Sequence, residues 1–180
     1  AALDVLDIFK EWVEYNKGWD TIQGAESSKR EKIVQRLIHL GSKNYILAND
    51  WDINFESDAG RGPVDFKVSR RGDKTIVEIK LSTNTQYLHG YEEQVEEYGK
   101  AECTDNMIYV FVDLGNLGRL KKITDTHQLN LRNQKKVPEL MIIDAIAKNA
   151  ASTYSNWNII FSAIYYIIKS ASRDGLGAFL

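Results

Sequence analysis

Residues 62–81 read GPVDFKVSRRGDKTIVEIKL, and this stretch limits the fold of the chain more sharply than any other. Two runs rich in β-branched and aromatic residues, Val64 to Ser69 and Thr75 to Leu81, flank a charged RRGD break. That is the pattern of a β-hairpin. Side chains alternate along a strand, so Val64, Phe66 and Val68 form one set, Asp65 and Lys67 the other, and Glu78 and Lys80 share a face of the second strand. Directly opposed residues of a hairpin lie on one face. With Arg71-Gly72 as the loop, Asp65 lies opposite Glu78; with Gly72-Asp73, Asp65 lies opposite Lys80 and Lys67 opposite Glu78. Both registers gather Asp65, Glu78 and Lys80. The first opposes two carboxylates, which destabilises by a few tenths to about 1 kcal/mol unless a cation lies between them, whereas the second is an ordinary acid–lysine pairing. Glycine at the first loop position favours the second. The residues alone leave the choice open, and a three-residue loop would put the charges on opposite faces.

The hairpin is preceded by apolar positions at helical spacing. Leu3, Leu6, Phe9 and Val13 predict one amphipathic helix and Ile33, Leu37 and Leu40 a second, separated by a break over Gly18 to Gly24. The second helix is expected over about Ala25 to Leu40, with Gly41 as its stop. A first strand is expected within Tyr45 to Phe55, followed by the loop SDAGRGP and the two hairpin strands. Helical spacing returns from Leu88 to Cys103, and Asn106 to Asp113 (NMIYVFVD) and Leu140 to Ile143 read as buried strands. Residues 153–172 read as a last helix, in which Trp157, Ile160, Phe161, Ile164, Ile167 and Ile168 form a stripe too wide for a solvated surface. That stripe suits either burial against the sheet or a homodimer interface. The order of elements describes a mixed β-sheet flanked by helices.

With 180 residues, 43% hydrophobic and 27% charged, the chain has enough apolar material for a single domain. Its lone cysteine, Cys103, excludes an internal disulfide, and His39, His89 and His127 stand too far apart for zinc-type spacing. A reducing, cytoplasmic setting is expected. The longest apolar run, Trp157 to Ile168, falls short of the roughly 20 residues of a membrane span. The opening AALDVLDIFKEW carries no basic lead, so no signal peptide is read there, and the chain is expected to be a piece of a larger one. Net charge is −2 but unevenly spread: Lys29 to Lys43, Arg70 to Lys74 and Arg119 to Lys136 carry most of the positive charge.

Pro63-Val64-Asp65, a spacer, then Glu78-Ile79-Lys80 closing an apolar strand resembles the signature of the PD-(D/E)XK nuclease superfamily, the restriction-endonuclease-like fold. The resemblance runs from about Ala25 to Asp113: a helix bearing an acid, Glu26, then three strands, the motif, a second helix and another strand. In that second helix Gln94 and Tyr98 stand four apart on one face, and this Q-x-x-x-Y resembles the motif of the RecB-like branch, where these side chains shape the active site. The chain then divides into an N-terminal helix (1–24), a nuclease core (25–113) and a basic segment with a terminal strand and helix (114–180).

The resemblance implies a Mg²⁺-dependent deoxyribonuclease, with Mn²⁺ as substitute and an endonuclease of restriction, defence or repair type as the expected form. Asp65, Glu78 and the Ile79 carbonyl would hold the metal, a hard cation that prefers oxygen ligands. Lys80 would orient or deprotonate the attacking water and offset charge on the phosphate, and Glu26 would add an acid through water. DNA would lie along Arg119, Lys121, Lys122, Arg132, Lys135 and Lys136, in an arm leaving the sheet after Asp113. The Gly-Arg-Gly before Pro63 is either a turn or a backbone approach to phosphate. A rival reading is a catalytically weak nuclease-like module that binds DNA or assembles with partners. No G-x-S-x-G, P-loop or G-x-G-x-x-G motif is present.

Overall fold

The computed structural model describes residues 1–58 and 63–148, of which Ala1–Ala147 make one compact unit. The elements in chain order are α1 (Ala2–Tyr15), α2 (Gly18–Gly24), α3 (Arg30–Ala48), β1 (Asp52–Asp58), β2 (Pro63–Arg70), β3 (Asp73–Leu81), α4 (Tyr87–His89), a π-helical turn (Gly90–Gln94), α5 (Val95–Glu102), β4 (Asn106–Asp113), α6 (Leu117–Arg132) and β5 (Glu139–Asp144). The five strands form one sheet in sequence order. β1, β2 and β3 are antiparallel, and β4 and β5 add parallel to β3. The protein is therefore α/β, with a mixed sheet flanked by helices.

The α1–α3 side buries Leu6, Phe9, Val13, Ile22, Val34 and Ile38 against Phe66, Val77, Ile79, Ile108, Val110 and Val112. The opposite face of β4 packs Tyr109 and Phe111 against Tyr87, Tyr91 and Ile123. β4 is thus covered on both sides, as a parallel strand flanked by helices must be, and its sequence reads as a continuous apolar run rather than an alternation.

The strands predicted at Val64 to Ser69, Thr75 to Leu81, Asn106 to Asp113 and Leu140 to Ile143 are all present. Four expectations are corrected. The break expected over Gly18 to Gly24 is itself a short helix, α2, entered through Lys17 in a left-handed conformation. α3 does not stop at Gly41 but continues to Ala48, absorbing Tyr45, so the first strand begins only at Asp52. The buried stripe of α3 is Val34, Ile38, Ser42 and Ile46, one residue on from the Ile33–Leu37 pair, and Leu40 is 75% exposed. The basic segment after β4 is a helix, α6, as far as Arg132 rather than an arm throughout, with Lys135 and Lys136 in the connection to β5; Asn116 caps the helix, its side chain accepting from the Arg119 N–H at 3.2 Å. The loop before Pro63 and the expected helix over 153–172, with its apolar stripe, lie outside the described residues. No helix of the described residues is long and apolar enough to cross a membrane.

Candidate active site

The hairpin adopts the register with Arg70 opposite Asp73, so Arg71-Gly72 is the loop. Glycine-first reasoning favoured the other register. The reason it fails is the turn itself: φ is positive at both Arg71 (49°) and Gly72 (98°), the pattern of a type I′ turn, whose twist matches the strands and which takes its glycine second. Continuing the register places Asp65 opposite Glu78. The backbone ladder ends one step earlier, at Phe66 and Val77, and the Ile79 N–H donates instead to Asp65 Oδ2 at 2.5 Å.

β2 departs from simple alternation here. Phe66 and Val68 pack on the α1–α3 side, whereas Val64 packs with Ile76, Val95, Tyr98 and Met107 beneath α5. Asp65 therefore stands at the irregular point between them, where β2 and β3 part company. From α3, Gln35 Nε2 donates to Asp65 Oδ1 at 2.5 Å. Lys80 Nζ donates to Glu78 Oε1 in an ion pair, and both side chains are buried. Glu78 Oε2 is buried with no hydrogen-bond partner.

The electrostatics follow from this crowding. Burial, reinforced by the neighbouring Glu78 charge, pushes the Asp65 carboxyl up to about 7. Glu78 is raised as well, chiefly by burial, against the opposing pull of Lys80. For Lys80, burial disfavours the charge, but Glu78, Asp65 and Glu31 outweigh it and hold the ammonium above its ordinary value. Two carboxyls that resist ionisation beside each other, one with an orphan oxygen, are a donor set that a cation would satisfy. Among the described residues no cluster of three or more His, Cys, Asp or Glu is arranged about a common point for a metal.

The acid that α3 contributes is Glu31, not Glu26. Glu26 precedes the helix, is exposed, and is held by Lys29 and Ser28 at 2.6 Å each. Those two contacts, Lys29 first, keep its carboxyl below the usual range. Glu31 acts on Asp65, Glu78 and Lys80 by charge and accepts from Asn84 Nδ2 at 3.1 Å. Asn84 follows β3, and its carbonyl and that of Ser82 accept from Arg119 Nη1 at 2.9 and 2.8 Å. The guanidinium carbon of Arg119 also lies 5.4 Å from the Tyr87 ring centre. Arg119 thus ties α6 to the loop that steadies Glu31. Glu31 and Gln35 stand four apart, a polar pair bordering the buried Val34 and Ile38, and that spacing is the signal that could have found them.

The π-helical turn brings the second helix close to Lys80. A Cβ on Gly90 would come within 3.2 Å of both Lys80 Cε and Gln94 Oε1, so this glycine allows the turn to lie on the lysine stem. Gln94 Oε1 is buried and finds no hydrogen-bond partner. Tyr98 is buried with Val64, Ile76, Val95 and Met107. π-Turns inside helices often mark functional positions.

The remaining basic residues are spread out. Lys121 pairs with Asp125 at 2.5 Å and Lys136 with Asp105. Lys122, Arg132 and Lys135 are exposed. A groove of about 410 Å³ lined by Glu96, Lys100, Cys103, Asp105, Lys135 and Lys136 is of mixed sign and contains neither Asp65 nor Glu78.

Residues 1–116 match the family described as a domain of unknown function, DUF8371, and the chain belongs to that family. The matched span runs from α1 to the start of α6 and takes in Glu31, Gln35, Asp65, Glu78, Lys80, Gln94 and Tyr98. No curated protein and no solved structure gives a match.

Proposed function

We propose that this protein is a metal-dependent deoxyribonuclease of the restriction-endonuclease-like class, acting at the junction of β2 and β3. The observation that carries the reading is the pair of carboxyls, Asp65 and Glu78, gathered where the hairpin ladder ends, with Lys80 against Glu78. A helix, three antiparallel strands, a helix and a parallel strand in that order also support it. Mg²⁺, or Mn²⁺ in its place, would be held by Asp65, Glu78 and the Ile79 carbonyl, and when bound would neutralise the scissile phosphate and lower the pKa of a water.

The chain's own groups have distinct tasks. Gln35 and the Ile79 N–H fix the Asp65 carboxylate. Lys80 carries donors that can orient the attacking water or meet charge on a phosphate oxygen. Glu31, held by Asn84, keeps the cluster negative and so attractive to cations.

A second reading is a nuclease-like module with little catalysis. It is favoured by the engagement of Asp65 Oδ1, Asp65 Oδ2 and Glu78 Oε1 by groups of the chain itself. Incubating the protein with supercoiled, linear and single-stranded DNA, with Mg²⁺, Mn²⁺ or chelator, separates the two. The nuclease reading expects divalent-dependent strand scission; binding without scission under every condition favours the module.

A further inference from the structure

We propose that His39, Phe55 and the basic side chains on the same stretch of α3 form a binding site for an unpaired base of single-stranded DNA beside the carboxylates. The imidazole of His39 lies parallel to the Phe55 ring, centroids 4.2 Å apart and planes 10° apart. Phe55 in turn stacks on Phe66, with centroids 5.2 Å apart, and Phe66 is fully buried. His39 is exposed and Phe55 half-buried, so a ladder of three rings climbs from the core to the surface. A nucleobase on the outer imidazole face extends that ladder by one ring.

Helix α3 places the ladder near the site: His39 stands one helical turn beyond Gln35, whose amide holds Asp65 at 2.5 Å. At 1.5 Å rise per residue, Gln35 and His39 are about 6 Å apart along α3. The occupant is set by charge. Arg36, His39 and Lys43, at spacings of three and four, make one exposed stripe of α3. Cations that neutralise a phosphate backbone, flanking an aromatic face on which a base stacks, are the two components of single-strand binding. In a duplex the bases stack on each other and present no free face, so the platform selects unpaired DNA.

The proposal rests on the nuclease reading for its substrate class, but its test does not. Affinity is measured on the full chain in chelator, using a fluorescein-labelled single strand and a blunt duplex of the same sequence. The parent is expected to prefer the strand. His39→Ala should weaken strand binding by about tenfold or more, the scale of one lost base–aromatic stack, while His39→Phe keeps it and duplex binding does not change. Arg36→Ala and Lys43→Ala should each flatten the salt dependence of strand binding by about 0.7 in slope. Equal strand affinity for parent, His39→Ala and His39→Phe would overturn the platform, as would parallel losses on strand and duplex. Platform failure with Mg²⁺-dependent scission intact removes the platform alone; strand preference without scission removes the nuclease alone.

Discussion

The surroundings of Asp65 work against its charge. Burial and Glu78 raise its carboxyl to about 7, so the native state holds its proton more tightly than the unfolded chain does. Its contribution to stability is therefore complete below the unfolded value near 3.8 and is lost as pH rises through about 7. In chelator, the stability of the parent relative to Asp65→Asn should fall between pH 4 and pH 8 by on the order of 2–4 kcal/mol, on top of a pH-independent cost of setting the asparagine NH2 against the Gln35 or Ile79 N–H. Urea titration at the two pH values checks this, and a difference that is the same at both would contradict the electrostatic account. Strand alternation together with a two-residue loop was enough to group Asp65, Glu78 and Lys80, because it needs only the strand period and the hairpin register. It did not reveal Gln35 or Glu31, since their contacts depend on how α3 is rotated over the sheet. A shift of one residue in its buried face, from Ile33 and Leu37 to Val34 and Ile38, turns both polar side chains toward the carboxylates.

Elements whose pattern comes from their own packing were legible, and those decided by tertiary context were not. β4 announces itself as an unbroken apolar run because both faces are covered. The end of α3 did not, because Gly41 sits inside the helix with no neighbour within 4 Å of where a Cβ would go, so neither a clash nor a positive φ makes it a stop. Gly41→Ala should accordingly stabilise the fold by roughly 0.5–1 kcal/mol, the helix-propensity difference. Gly99 in α5 behaves oppositely: a Cβ there meets Met107 Sδ at 2.6 Å and the Thr104 carbonyl oxygen at 3.0 Å. Gly99→Ala should lower the melting temperature, and thermal denaturation of both variants tests the pair. The hairpin turn was misjudged for a related reason. Arg71 takes a left-handed φ that sequence rules reserve for Gly, Asn or Asp, and the hairpin twist overrides that preference.

Across the whole molecule, the basic residues divide by role in a way that no linear count reveals. Arg119 binds the carbonyls of Ser82 and Asn84, and Lys121 and Lys136 are paired with acids. Arg119→Ala should lower the melting temperature and loosen the loop behind Glu31. Charge reversal at Lys122 and Lys135 should leave stability unchanged and, where these side chains meet DNA, reduce the salt slope of duplex binding by about 0.9 per lost phosphate contact. An unaltered slope would place the duplex on another surface. The central claim is that the Asp65–Glu78–Lys80 cluster at the end of the hairpin ladder hydrolyses DNA, and it is tested most directly by single-turnover cleavage in Mg²⁺ with DNA-saturated parent, Asp65→Ala, Glu78→Ala and Lys80→Ala. The account predicts divalent-dependent cleavage by the parent, none by either carboxylate variant, and a rate slowed by roughly 10² or more in Lys80→Ala with metal binding retained. Cleavage by both carboxylate variants at the parent rate would contradict it.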